Sequence, residues 1–178
     1  MLDKIVLGLL HDQPHTAYSL QRTMEQSTGF FYSSSSGALH PALRKLVARG
    51  EVQRDDVAGS ARGKVQYTLT DAGRETFQQW LGSPLGVGRV REAALVRLFF
   101  LGHLPQPTRR AVLDGYRREL HEQLAVLDAL YAETDAALQD TDPSDLLSFR
   151  FETLRYGRDF FQFTTRWYDD LGRRDDDA

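Results

Sequence analysis

Between residues 39 and 81 the apolar period changes twice, and few folds accommodate such a change. Leu39, Leu43, Leu46 and Val47 fall at i, i+4, i+7 and i+8, one stripe of a helix. Arg49-Gly50 follows, a basic last turn and a residue that stops helices easily. The period then drops to two. Val52 and Arg54 alternate with Glu51 and Gln53, and Val65, Tyr67 and Leu69 alternate with Lys64, Gln66 and Thr68. Residues 55–63, with Gly59, Ser60 and Gly63, read as the flexible loop of a hairpin. Thr70 is placed to cap a helix running to about Leu81, with Phe77, Trp80 and Leu81 as its apolar contacts.

Upstream, Ile5, Val6, Leu7, Leu9 and Leu10 predict a short buried helix ending near Gln13-Pro14. Thr16 is the N-cap of a second helix, from about Ala17 to Ser27, with Ala17, Leu20 and Met24 inward and Gly29 ending it. Phe30, Phe31 and Tyr32 form an aromatic turn, read as packing beneath a loop rather than stacking on bases. Ser33 to Ser36 then lead into the third helix, which starts near Ala38 so that Pro41 falls in its first turn. Three helices, a two-stranded hairpin and a closing helix over residues 1–81 make a winged helix-turn-helix, in which the third helix enters the major groove and the hairpin loop lies over neighbouring backbone. Double-stranded DNA is the expected partner. Ser35, Ser36, His40, Arg44 and Lys45 stand opposite the apolar stripe as groove contacts, Arg62 and Lys64 as wing contacts, and Tyr18 as a weaker phosphate contact.

Charge limits how that contact works. Residues 1–81 carry nine Lys or Arg against eight Asp or Glu, and the rest thirteen against seventeen. Anion binding therefore depends on local placement in the first half rather than on bulk field. The alternative that this balance leaves open is a protein-interaction module whose winged helix no longer binds DNA.

The motifs Leu7-Gly8-Leu9-Leu10, Ala17-Tyr18-Ser19-Leu20, Ser36-Gly37-Ala38-Leu39-His40-Pro41-Ala42-Leu43, Arg49-Gly50 and Tyr67-Thr68-Leu69-Thr70-Asp71-Ala72-Gly73 resemble, in order and spacing, those of PadR-type transcriptional regulators. Val90-Arg91-Glu92-Ala93, Leu98-Phe99-Phe100-Leu101-Gly102, Gly157 and Trp167 extend the resemblance to the subgroup with a long AphA-like C-terminal helical region. The resemblance implies a homodimer, repression more often than activation, and in some members a response to small aromatic compounds. His40 departs from the tyrosine usual before the proline of the third helix. An imidazole is smaller and can donate or accept, so base preference at that position is expected to differ.

Residues 82–88, with three glycines and a proline, read as a linker between the DNA-binding domain and a helical dimerisation domain over 89–178, so the fold is mainly α. Three helices are expected there. The first, Val90 to Gly102, is apolar through Ala94, Leu95, Leu98, Phe99 and Leu101. The second, Thr108 to Gln139, carries Leu113, Tyr116, Leu120, Leu124, Leu127, Leu130, Tyr131 and Leu138 at near-heptad spacing. The third begins at Asp142-Pro143-Ser144-Asp145, with Asp142 as N-cap, and runs to about Leu171, with a frayed tail beyond. Its Tyr156, Phe160, Phe163, Trp167 and Leu171 share one face.

So wide a stripe exceeds what one intrachain partner covers. Leu113, Tyr116, Leu120, Leu124, Leu127, Tyr131, Phe160, Phe163 and Trp167 are the expected dimerisation residues. Two-fold symmetry would then set two recognition helices roughly 34–36 Å apart on a pseudo-palindromic operator. Phe160, Phe161, Phe163, Trp167 and Tyr168 read as dimer core, with a pocket for a small aromatic effector as the other reading.

Other functions fit poorly. The 178 residues include no cysteine, which excludes disulfides and thiolate metal sites. No apolar run suggests a membrane span, so a soluble, cytoplasmic protein without cofactor is expected. No glycine-rich phosphate loop or nucleophile elbow is present. His11 and His15 flank Pro14 and share no helix face, which argues against a metal pair.

Overall fold

A computed structural model describes residues 1–29, 31–32, 37–56, 65–86, 92–139 and 143–176. The chain forms two compact units, Met1–Gly88 and Arg89–Ala178.

The first unit contains α1 (Leu2–Asp12), α2 (Ala17–Ser27), α3 (Leu39–Ala48), β1 (Val52–Asp56), β2 (Val65–Leu69) and α4 (Asp71–Leu81). The strands pair antiparallel with Val52 opposite Leu69 and Arg54 opposite Tyr67. Asp55 and Asp56, expected in the loop, continue β1 because pairing with Gln66 and Val65 satisfies their backbone. The core gathers one stripe from each element: Val6, Leu7 and Leu10 of α1, Leu20 and Met24 of α2, Leu39, Leu43 and Leu46 of α3, then Val52 and Leu69. Phe77 of α4 closes over Gly8, where an added Cβ would lie 3.0 Å from the ring. Leu81, expected as a packing contact, is 58% exposed, because it sits past the point where α4 meets the core.

Gly50, at φ +70, turns the chain from α3 into β1. Thr70 fastens the far end of the hairpin to that turn. Its hydroxyl donates to the Gly50 carbonyl at 2.7 Å and accepts from the Gly73 N–H at 3.1 Å, and its N–H donates to the Glu51 carbonyl at 3.2 Å. Gly73 is there because nothing larger fits. A Cβ would stand 2.0 Å from the Glu51 carbonyl oxygen and 2.7 Å from Leu69 Cδ1. Gly73→Ala is expected to cost about 2–4 kcal/mol, read as a lower urea midpoint with an unchanged slope.

The second unit contains α5 (Ala93–Phe100), a 3-10 turn (Leu101–His103), α6 (Gln106–Gln139) and α7 (Asp145–Asp176). α6 and α7 pack along their lengths. Leu113, Leu120 and Leu127, one heptad apart, are buried, as are Leu154 and Tyr168 of α7. The sequence assigned these three leucines to a dimer face; within the chain they are buried by its own helix pairing. Tyr131 stacks on Phe151 at 4.9 Å, with the Arg158 guanidinium 3.8 Å from its ring centre.

Three boundaries differ from expectation. α5 starts at Ala93, and its Leu95 and Phe99 are exposed, Phe99 by 82%, because so short a helix buries only its Ala94–Leu98–Leu101 side. The Ser144 hydroxyl accepts from the Leu147 N–H at 3.4 Å and caps α7, while Pro143 precedes the helix and Asp142 lies outside the described residues. α7 continues past Leu171 to Asp176, since Asp175 pairs with Arg109 of α6 and keeps the last turn in place.

Asp169 of α7 ties the helices about two turns in from the Arg109–Asp175 pair. It accepts from Arg117 Nε at 2.9 Å, and His121 Nε2 lies 3.1 Å away. Burial alone would raise its carboxyl, but the Arg117 and His121 contacts outweigh that and hold it below its ordinary value. A depressed carboxylate contributes stability that is complete above its unfolded value and is lost as pH falls through the folded one. Acid unfolding of the chain is expected to lose this contribution below about pH 3.8; Asp169→Asn should flatten that part of the stability–pH curve.

Candidate nucleic-acid interface

The α2 N-terminus is built around a reciprocal cap. Thr16 Oγ1 accepts from the Ser19 N–H at 3.0 Å, and Ser19 Oγ accepts from the Thr16 N–H at 2.9 Å. His15, just before the cap, is buried, and its ring Nδ1 lies 3.1 Å from Ser19 Oγ. Burial lowers its imidazole below the ordinary value, against a smaller opposing effect from Asp12. Its backbone bridges the hairpin: the His15 N–H donates to the Tyr67 carbonyl at 3.1 Å, and the Tyr67 N–H returns a bond of 2.7 Å. The start of α2 is thus hydrogen-bonded to β2. This fixes Tyr18, one residue inside the helix and 76% exposed, beside the hairpin.

α3 supplies the facing wall. His40 and Arg44, one turn apart, are exposed on the side away from the buried leucines. Between this helix, the start of α2 and the hairpin runs a groove of about 980 Å³. Ala17, Val47, Ala48 and Val65 give it an apolar lining, and Tyr18, His40, Arg44, Arg54 and Tyr67 complete its walls. Arg44 and Arg54 form no ion pair with any described residue. Two guanidiniums without an ion-pair partner among the described residues, one from the helix and one from the hairpin, suit a polyanionic strand.

The sequence placed several of these residues and missed one. Tyr18, His40 and Arg44 come together here. Lys45 does not: about 100° further round the helix than Arg44, it faces α1, with its Nζ 3.9 Å from Asp3. Arg49 joins the same acidic group, 3.2 Å from Asp3 and 2.7 Å from Glu51. Ser35, Ser36, Arg62 and Lys64 lie outside the described residues. Arg54 was overlooked because its alternation with Gln53 was used only to recognise a strand. An arginine paired across the hairpin with a tyrosine, four residues beyond the glycine that ends the helix, was the available signal.

In the second unit, Tyr156, Phe160, Phe163 and Trp167 of α7 are 71%, 40%, 66% and 36% exposed. They lie at i, i+4, i+7 and i+11, on the side of α7 away from Leu154 and Tyr168. Tyr116, Leu124 and Tyr131 of α6 are half-buried. Among the described residues no helix is long and apolar enough to cross a membrane, and no cluster of His, Asp and Glu could hold a metal.

Comparison with known proteins places this architecture. A family model described as the transcriptional regulator PadR-like family matches residues 6–79, and one described as virulence activator alpha C-term matches residues 90–172. Negative transcriptional regulator PadR of Bacillus subtilis is 24% identical over 150 residues, 83% of this chain and 81% of the relative. The crystal structure of Bacillus subtilis PadR in complex with operator DNA superposes with a TM-score of 0.83 at 19% identity, covering 98% of each chain. The same protein in complex with p-coumaric acid gives 0.79, at 19% identity and 98% of each chain. The Vibrio cholerae virulence activator AphA gives 0.73 at 22% identity, over 98% of this chain and 97% of that one.

Proposed function

We propose that this chain, whose residues 6–79 match the PadR-like family model and whose residues 90–172 match the virulence activator alpha C-term model, is a PadR-type homodimeric repressor that binds a pseudo-palindromic operator and is released by a small aromatic effector. The observation that carries the DNA part is the groove between α2, α3 and the hairpin, bordered by Tyr18, His40, Arg44 and Arg54 with both arginines free of described partners. His40 and Arg44 read base edges, since α3 is the element that enters a major groove in this arrangement. Tyr18 and Arg54 take phosphates on either side of it. Ser35 and Ser36 before α3, and Arg62 and Lys64 in the hairpin loop, join them on the sequence reading.

The dimer places Tyr156, Phe160, Phe163 and Trp167 against their counterparts on a second chain, with Leu124 and Tyr131 of α6 at the edges. An apolar stripe of four large side chains is more than monomers ordinarily leave in water. Two-fold pairing sets the two α3 helices about one turn of DNA apart, roughly 34–36 Å. A ligand that changes the relation between the C-terminal helices then changes that spacing and with it operator affinity. Repression, operator DNA and p-coumaric acid are properties of the Bacillus subtilis relative that support the same reading here.

Footprinting on a genomic fragment pool tests the assignment. Two protected half-sites about ten base pairs apart, centre to centre, are expected, with loss of protection when p-coumarate is added. A single protected site with one chain bound would overturn the dimeric operator, and no protected fragment would overturn the regulator.

A further inference from the structure

α5 is apolar on every side. Of its residues Ala93–Phe100 only Arg97 carries a charge, and none is buried. A helix that is apolar all round belongs in a core. Its own chain covers one side: Ala94 and Leu98 join the α6–α7 core, and Arg97 lines the same cleft, across from Val112, Gly115 and Tyr116 of α6. Leu95, Val96, Phe99 and Phe100 are left exposed and form a face without charge.

α5 occupies only half of the surface on which it lies. α6 and α7 run antiparallel, since Tyr116 meets Tyr168 while Tyr131 meets Phe151. In such a pair, residues one position before each seam residue emerge on the same side of both helices. On α6 these are Val112 and Val126, before Leu113 and Leu127, and Leu130, before Tyr131. On α7 they are Tyr156, Phe160 and Trp167, before Gly157, Phe161 and Tyr168, and Phe149 stands one heptad before Tyr156 in the same row. α5 sits on this side at Val112 and Tyr116. Val126 and Leu130 repeat those two positions two heptads further along α6, and they are exposed, as are Phe149 and Tyr156.

We propose that this second half is the seat of α5 from a second copy of the chain. Val96, Phe99 and Phe100 pack on Val126, Leu130, Phe149 and Tyr156, and a two-fold axis makes the exchange reciprocal. Area selects this occupant. The four aromatic side chains of the α7 row, about half exposed on average, offer on the order of 400 Å², whereas a stable interface takes about 800 Å² from each partner. α5 and its seat adjoin that row, share Tyr156 with it, and bring an area on the order of the missing 400 Å². A nucleic acid or an acidic partner would find no cation on the exposed α5 face to hold it. The inference rests on the homodimer proposed above and specifies how its chains interlock.

The chain contains no cysteine, so introduced thiols report unambiguously. Phe99→Cys and Val126→Cys in one chain stand too far apart to be joined within it, since Val126 lies about 21 Å along α6 from Val112, where α5 sits. Treated with a short bis-maleimide, this double variant is expected to give a covalent dimer and nothing larger on a denaturing gel. Either substitution alone should give none. Phe99→Glu, at a side chain outside the α6–α7 core, should weaken dimerisation by about tenfold or more in sedimentation velocity. A dimeric double variant that does not cross-link, cross-linking by Phe99→Cys alone, or a dimer indifferent to Phe99→Glu would each overturn the clasp and leave the homodimer standing. A monomeric native chain would overturn both.

Discussion

Arg44→Ala is expected to lower affinity for the specific site by about 10- to 100-fold and to relax base preference at the positions α3 is proposed to cover, the scale of losing one base-reading arginine. The side chain leaves the middle of α3 on the face opposite Leu39, Leu43 and Leu46, lines the groove, and forms no ion pair with a described residue. Truncation therefore costs no described ion pair and leaves the apolar core untouched, so the thermal midpoint should stay within a degree or two of the native chain. Arg54→Ala separates the two kinds of contact. It should weaken binding to every sequence alike and reduce the salt slope by about one, as a phosphate contact does. Lys45→Ala, whose ammonium lies near Asp3 rather than at the groove, should do much less than either. Fluorescence anisotropy on a specific and a scrambled duplex distinguishes these three outcomes. Equal loss for Arg44→Ala on both duplexes would remove it from base reading.

The second large effect concerns assembly. Tyr156→Glu with Phe163→Glu should convert the proposed dimer to a monomer in sedimentation velocity, and operator affinity should fall by about 10²–10⁴, the loss expected when two linked half-sites become one. Both side chains are more than 60% exposed, so the substitutions leave the α6–α7 core of Leu113, Leu120, Leu154 and Tyr168 intact. Across a two-fold axis each glutamate meets the partner's apolar stripe or its own counterpart, and both arrangements are unfavourable. A variant that remained dimeric would shift the contact to another exposed surface, such as Phe99 and Phe100 on α5.

Much of the first unit was legible because its signals are local. Thr16 and Thr70 cap the helices they were expected to cap, and the change of period at Gly50 marks the hairpin where it occurs. Side-chain direction was harder to read. Lys45 looked like a groove residue because it is basic and off the apolar stripe, but a helix has flanks as well as two faces, and Asp3 lies on one. Arg54 was passed over for the converse reason: the cleft it lines exists only once His15 has bridged to Tyr67, a contact between residues 52 apart in sequence.

The second unit shows a different limit. Heptad spacing identifies Leu113, Leu120 and Leu127 as a seam without saying which helix covers it. The answer, the chain's own α7, depends on how two long helices align. The same alignment decides that Asp175 has a partner and that the tail is helical. The sparser apolar residues of α7, read as one set, divide into a buried row through Tyr168 and an exposed row through Phe163. Only the second suits another chain.

One measurement bears most directly on the central proposal, that the groove between α3 and the hairpin is a DNA-binding surface. It is a mobility-shift titration of the native chain and Arg44→Ala against the DNA upstream of its own gene, at two salt concentrations. A discrete complex that weakens steeply with salt, by roughly 0.9 in slope for each phosphate contacted, and that is largely lost with Arg44→Ala is the predicted result. No complex with that DNA or with a genomic fragment pool, or one indifferent to both salt and the substitution, would contradict it and leave the groove as a surface for a protein partner.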